Sequence, residues 1–227
     1  VFREQIIGTR ASDNGLYVAY VNTVGGQDEL VFDGASLISD PKGRLVARGK
    51  QFQEDLIVAD LDVDDVMHAR LRDPRLRKEG DLRLDDIGVP EVIHVSDYQP
   101  RERPPLPRQD FVPLDPIGEI YHALVLGTRD YVRKTGFKKA LIGLSGGIDS
   151  SMVACIAVDA LGKENVIGIA MPSRYSSEGS LIDAKLLAEN LGMELRIIPI
   201  EPAHRAYEEM LEPHFRGTQP GVAEENI

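Results

Sequence analysis

Residues 140–158 read ALIGLSGGIDSSMVACIAV. The first five, Ala140 to Leu144, are a short apolar run of the kind that forms a buried strand. Ser145-Gly146-Gly147-Ile148-Asp149-Ser150-Ser151 follows directly, and an apolar stretch long enough for a helix comes next. A strand that feeds a glycine-rich turn into a helix leaves the first backbone N–H groups of that helix without intrahelical partners. The helix dipole adds partial positive charge at the same point. The result is a cradle for phosphate. Gly146 and Gly147 allow close approach of the main chain, and Ser145, Ser150 and Ser151 supply hydroxyls.

The loop lacks the Gly-Lys-Ser/Thr ending of a Walker loop, so no lysine from it reaches a γ-phosphate, and it is not a G-x-G-x-x-G dinucleotide turn. It carries Asp149 instead, a carboxylate set among phosphate donors. That carboxylate would repel a polyphosphate unless a cation stood between them, so Mg²⁺ bridging Asp149 and the phosphates is the economical expectation. The string Ser145-Gly146-Gly147-Ile148-Asp149-Ser150 resembles the S-G-G-x-D-S pyrophosphate loop of the ATP pyrophosphatases, which split ATP into AMP and pyrophosphate while adenylating a substrate.

Around this turn the pattern alternates. A long amphipathic helix is expected after Pro116, through Ile120, Leu124, Leu126, Tyr131 and Val132 to a stop at Thr135-Gly136. Then come a strand over 139–144, the loop, a helix to Leu161-Gly162, a strand over Val166–Met171, a helix over Leu181–Asn190 stopped by Gly192, and a strand over Leu195–Ile200. Strands alternating with helices make βαβ units and a parallel sheet, whose ligands sit beyond the carboxyl ends of the strands. The loop after Leu144 and the segment Met171-Pro172-Ser173-Arg174-Tyr175-Ser176-Ser177 should therefore face one crevice. In that setting Arg174 becomes a candidate nucleotide ligand, while Ser176 or Ser177 can cap the next helix.

Residues 1–65 read differently. A helix tail over 1–13 is stopped by Asn14-Gly15. Short strands follow over Leu16–Val24, Glu29–Phe32, Ala35–Ser39, Leu45–Ala47 and Leu56–Leu61, with breaks at Gly25-Gly26-Gln27-Asp28, Asp33-Gly34 and Asp40-Pro41-Lys42-Gly43. From Val66 to Pro105 acids and bases balance and aromatics nearly vanish, and four prolines fall between 100 and 107. This is a surface arm or linker, part helical around Val66–Leu76. The expected organisation is 1–65, an arm over 66–112, and 113–227.

The formal charge of −11 is spread over both halves and argues against nucleic acid as a partner, since neutralising phosphates needs a basic face. No apolar run approaches membrane-spanning length. Cys155 is the one cysteine, which excludes an internal disulfide, fits a reducing cytoplasm and reads as a packed core thiol. The five histidines show no ligand spacing. The chain starts without Met inside an amphipathic pattern and stops at Glu224-Glu225-Asn226-Ile227 with no closing element, so it is expected to be an internal piece of something longer.

Two stretches carry a more specific resemblance. VAYVNTVGGQDELVFDGASLI (18–38) resembles the late strands of the nitrilase-like glutaminase domain of glutamine-dependent NAD⁺ synthetases. GLSGGIDSSMVACIAVDALG (143–162) with MPSRYSSEGS (171–180) resembles the ATP end of the synthetase domain in the same family. The implied fold is α/β: the C-terminal part of a nitrilase-like αββα sandwich, then the first part of a Rossmann-like parallel-sheet ATP pyrophosphatase domain. The implied reaction amidates deamido-NAD⁺ through an adenylated nicotinate carboxylate, with glutamine or ammonia as nitrogen source and ATP and Mg²⁺ required. A homo-oligomer is expected.

On this sequence the resemblance places Gly143, Leu144, Ser145, Gly146, Gly147, Ile148, Asp149 and Ser150 around the triphosphate. It puts Asp149 on Mg²⁺, the Met171 main chain near adenine, and Arg174 with the ribose–phosphate region. No general base is assigned. Residues 1–104 contain no cysteine, so the family's Glu–Lys–Cys glutaminase set is not among them, and the resemblance implies that it lies upstream of Val1. Glu4, Glu29 and Lys50 accordingly have ordinary surface explanations, and Gln27-Asp28-Glu29 is expected to shape a turn near the glutaminase pocket, with a structural and a functional reading both open. The open alternatives are another ATP pyrophosphatase, of the GMP synthetase or tRNA-modifying kind, and a nucleotide-binding module without catalysis.

Overall fold

A computed structural model describes residues 2–75, 91–97, 99, 104–106, 111–214 and 221. The chain forms two compact units, one of residues 1–25 and 32–116, the other of residues 26–31 and 117–227. Most of the expected arm between 76 and 110 lies outside the described residues.

In the first unit, helix α1 (Phe2–Asn14) buries Gly8 and Ala11 and ends where Gly15 adopts φ 56°. Three strands, β1 (Val18–Tyr20), β4 (Leu37–Ser39) and β5 (Leu45–Arg48), form an antiparallel sheet in the order β1-β4-β5. Leu37 and Ser39 of the central strand are buried. The expected turn at Asp40–Gly43 is present and wired by Asp40, whose carboxylate accepts the N–H groups of Lys42 (2.8 Å) and Arg44 (2.9 Å) and Arg44 Nε (2.8 Å). Burial pushes the Asp40 carboxyl up, but these hydrogen bonds and the Arg44 charge outweigh it and hold the pKa below its ordinary value. Arg3 forks onto Asp33 (2.8 and 3.0 Å) and Arg48 pairs with Glu4, which gives Glu4 a structural task.

Three strand expectations need correction. The run Leu16–Val24 does not hold as one strand: Val18–Tyr20 is β1, and pairing resumes only at Val24. Gly25, Gly26 and Gln27 do not break the chain but belong to β2 (Val24–Gln27), which pairs with β3 (Leu30–Asp33). The turn between them is carried by Asp28 at φ 50°, a conformation that Asp tolerates better than most residues. Leu56–Leu61 keeps a period-two burial pattern, with Ile57 and Ala59 half-buried and Leu56 and Val58 exposed, but pairs with no described strand. Alternation alone does not make a strand without an edge to join. The expected helix near Val66–Leu76 is α2 (Asp64–Arg72).

In the second unit, residues 26–31 pack on α3 (Pro116–Lys134). A Cβ on Gly26 would stand 2.9 Å from the Gly127 Cα, so a side chain at position 26 has no room. The Gly26 N–H donates to Asp130 Oδ2 (2.8 Å) and its carbonyl accepts Lys134 Nζ (2.5 Å). Beyond α3, strands β6 (Ala140–Gly143), β7 (Val166–Ala170) and β8 (Glu194–Ile197) form a parallel sheet in that order. The central strand, VIGIA, is buried along nearly its whole length, as a parallel strand covered on both faces should be. Helix α4 (Ile148–Leu161) lays Ala154, Ala157 and Ala160 inward, and α5 (Glu178–Leu191) does the same with Ala184 and Ala188. These small side chains bring both helices close to Ile142, Leu144, Val166 and Met193 in one core. Cys155 is half-buried rather than packed in that core, because the buried stripe of α4 is its alanine face.

The structure adds a helix the sequence pattern did not announce. Helix α6 (Glu201–Leu211) follows β8, with Pro202 just inside its start.

Candidate functional site

The sheet positions the loop as the pattern requires. Leu144 N–H continues the ladder past β6 by donating to the Ile169 carbonyl (2.8 Å), so Ser145 begins at the carboxyl end of β6. Gly146 then turns with φ 78°, and a Cβ there would fall 2.4 Å from the Ser180 carbonyl oxygen and 2.6 Å from its Cα. Glycine is demanded twice at this point, by conformation and by the first turn of α5 pressed against it.

Gly147 is the N-cap of α4 and offers no side-chain acceptor, so the first N–H groups of the helix are left for a ligand. The contrast with α5 is direct: there Ser177 accepts the Ser180 N–H (3.1 Å) and closes the helix end. Asp149 stands exposed in the first turn of α4 and makes no hydrogen bond or ion pair with any described residue. No group of three His, Cys, Asp or Glu side chains gathers among the described residues to hold a metal, around Asp149 or away from it.

The serines are less free than their sequence suggests. Ser150 and Ser151 both donate to the Gly147 carbonyl (3.0 and 2.9 Å), while Ser145 Oγ accepts the Gly147 N–H (3.2 Å). Each hydroxyl has a single proton, so these two now hold the turn in shape.

Gly143, Leu144 and Ser145 share a cleft of about 480 Å³ with Ala170, Met171, Pro172, Tyr175, Ser176, Ser177, Ser180 and Leu181. Of the sequence-derived candidates, Gly143, Leu144, Ser145 and Met171 thus line one cleft at the carboxyl ends of β6 and β7. Gly146, Gly147, Ile148, Asp149 and Ser150 continue the same loop into α4 and are not lining residues, with Ile148 and Asp149 exposed. Arg174 is not a lining residue. Its guanidinium is engaged by α6: Nε donates to Glu201 Oε1 (3.0 Å), Nη2 pairs with Glu201, and Nη2 lies 3.3 Å from Glu208 Oε2. The Arg174 hydrogen bond to Glu201 raises the arginine's pKa and lowers that of Glu201.

Sequence reasoning set Tyr175 in the segment facing the crevice without singling it out, and missed Ser180 and Leu181 as lining groups and α6 as a neighbour. For α6 a signal existed in Glu201-Pro202, an acid and a proline at a helix start. For Tyr175 there was none, since an exposed tyrosine in a serine-rich turn has no local mark.

Residues 3–71 match the carbon-nitrogen hydrolase family and residues 120–227 match the NAD synthase family. Glutamine-dependent NAD(+) synthetases of Aquifex aeolicus and Thermotoga maritima are 48% and 44% identical over the whole chain. The chain spans 39% and 38% of those relatives' lengths. Among solved structures, a glutamine-dependent NAD+ synthetase from Acinetobacter baumannii in complex with ADP overlays 99% of the chain with a TM-score of 0.74, at 33% identity and 36% of its own length. The antiparallel part is therefore nitrilase-like and the parallel sheet is that of an NAD synthase. With both modules matched in order within one continuous alignment, the chain is similar along its whole length to the glutamine-dependent NAD(+) synthetases.

Proposed function

We propose that the whole protein amidates deamido-NAD⁺ to NAD⁺, and that this chain contributes its ATP-binding end. The nicotinate carboxylate attacks the α-phosphorus of ATP and pyrophosphate leaves. Ammonia, free or released from glutamine, then attacks the acyl carbon, and AMP leaves with the electron pair as the new amide sheds a proton. A bare carboxylate is a poor electrophile because oxide would have to depart, and the mixed anhydride removes that obstacle. The chain's task is positioning and charge neutralisation rather than proton transfer.

The carrying observation is the cleft itself, which Gly143, Leu144 and Ser145, where the uncapped turn begins, line together with Met171, Pro172 and Tyr175 at the carboxyl ends of β6 and β7. Backbone N–H groups of Gly146, Ile148, Asp149 and Ser150 suit the phosphates, while the Gly147 N–H is held by Ser145 Oγ, and Gly143, Leu144 and Met171 suit the adenosine end. Arg174 works from the margin. Asp149 is the residue that would hold Mg²⁺, whose role is to offset the charge of the leaving pyrophosphate. The extents proposed are 1–65 for the nitrilase-like part, 66–112 for the arm and 113–227 for the synthetase part. A reducing cytoplasm suits the lone thiol, and a homo-oligomer is proposed for the whole protein.

Calorimetry with ATP and Mg²⁺ tests the site. Removing the carboxylate in Asp149→Ala should weaken Mg²⁺-dependent ATP binding about tenfold or more, in line with a lost charge-assisted contact of ~1.5–3 kcal/mol. Equal binding by both proteins would remove the metal assignment. Formation of NAD⁺ from deamido-NAD⁺, ATP and ammonia by the whole protein tests the reaction, and its absence alongside turnover of another ATP-activated substrate would overturn it.

A further inference from the structure

Two adjacent residues of the segment after β7 are both tied to one face of α6. Arg174 is held by Glu201 and Glu208. The Tyr175 ring meets the His204 ring edge-on, with centroids 5.5 Å apart and planes at 63°. Glu201, His204 and Glu208 stand at i, i+3 and i+7, so they form one stripe on the helix. Glu208 Oε2 also lies 3.6 Å from His204 Nδ1, which links the two contacts. A third tie comes from the main chain, where the Ile200 N–H at the start of α6 donates to the Pro172 carbonyl (3.1 Å). Pro172 and Tyr175 line the cleft and Arg174 does not.

We infer that Arg174, Glu201 and Glu208 are positioning residues for the nucleotide cleft: their clasp ties the 172–175 turn to α6 and sets Tyr175 as a wall of the cleft, so Arg174 acts through Tyr175 and not by gripping phosphate. This deepens the ATP reading and rests on the cleft being the nucleotide site. The Arg174 side chain is 42% exposed and its partners about 29%, so the pair adds little to global stability. Its fork geometry fixes direction, which is what a wall residue on a short turn needs. His204, 5% exposed at its side chain, gives Tyr175 a firm seat.

A direct phosphate contact and a clasp predict opposite signs. If Arg174 bound ATP, removing the carboxylates would free its guanidinium and tighten binding. If the clasp shapes the wall, Glu201→Gln with Glu208→Gln should weaken ATP affinity about fivefold, the scale of a small ion-pair network, with the unfolding midpoint nearly unchanged. The exchange of Arg174→Glu with Glu201→Arg should restore most of that affinity. Hydrogen exchange on the full chain without ATP supplies an independent readout. The double Gln variant should speed exchange at 172–177 and leave β6–β8 unchanged. Unchanged exchange at 172–177, or ATP affinity equal to or above wild type, overturns the clasp. Failure of the wild-type chain to bind ATP would instead overturn the nucleotide reading on which the clasp's purpose depends.

Discussion

Gly146 shows how a single position can be specified by two demands at once. Its φ of 78° is one that residues with a Cβ rarely adopt, and the Ser180 main chain already fills the space where a Cβ would go. Gly146→Ala should therefore cost about 2–4 kcal/mol, combining backbone strain with a contact that only main-chain movement can relieve. Urea unfolding reads the loss, and a cost below ~1 kcal/mol would mean the loop yields easily. This residue's importance was legible in the sequence, but its reason was only half so. Ser145-Gly146-Gly147 suggested one reason, close approach to an anion. The packing of Ser180 was not legible, because contact with a helix more than 30 residues on leaves no local trace. Arg174 is the converse case: its charge is plain in the sequence, yet its partners stand 27 and 34 positions away.

Elements were legible where periodicity and punctuation agreed. Helix α1 with its Gly15 stop, α3 with Thr135-Gly136, and the three parallel strands all followed from patterns confined to each segment. The antiparallel part was harder, since pairing decides what is a strand there: Gly25-Gly26 looked like a break and is paired, while Leu56–Leu61 looked like a strand and is not. The β4–β5 turn depends on Asp40, and its depressed pKa gives a test with a definite sign. An unfolded aspartate titrates near 3.9, so the ionised group's contribution is complete above that value and fades as pH falls through the lower folded pKa. Wild type should have a higher urea midpoint than Asp40→Asn at pH 6, with the gap closing below about pH 4. A gap that widened under acid would show that the hydrogen bonds favour the protonated form.

For the whole molecule, the distribution of one residue type sets the chemistry each unit can perform. The only thiol, Cys155, lies half-buried on α4 of the second unit, and the nitrilase-like part has none. The 227-residue chain should therefore release no ammonia from glutamine, checked with a coupled glutamate assay. Release that survived Cys155→Ser would point to a nucleophile other than cysteine.

The hairpin stretch 26–31 bears on how this polypeptide could be taken apart. Sequence families draw their border through the arm, yet these six residues are folded in with the synthetase part, glycine against glycine at positions 26 and 127. Scissors placed anywhere between 66 and 112 would hand the synthetase piece to an experimenter with a scar along α3. An autonomous version would need that hairpin grafted back, or bulkier residues at Gly127 to heal the groove.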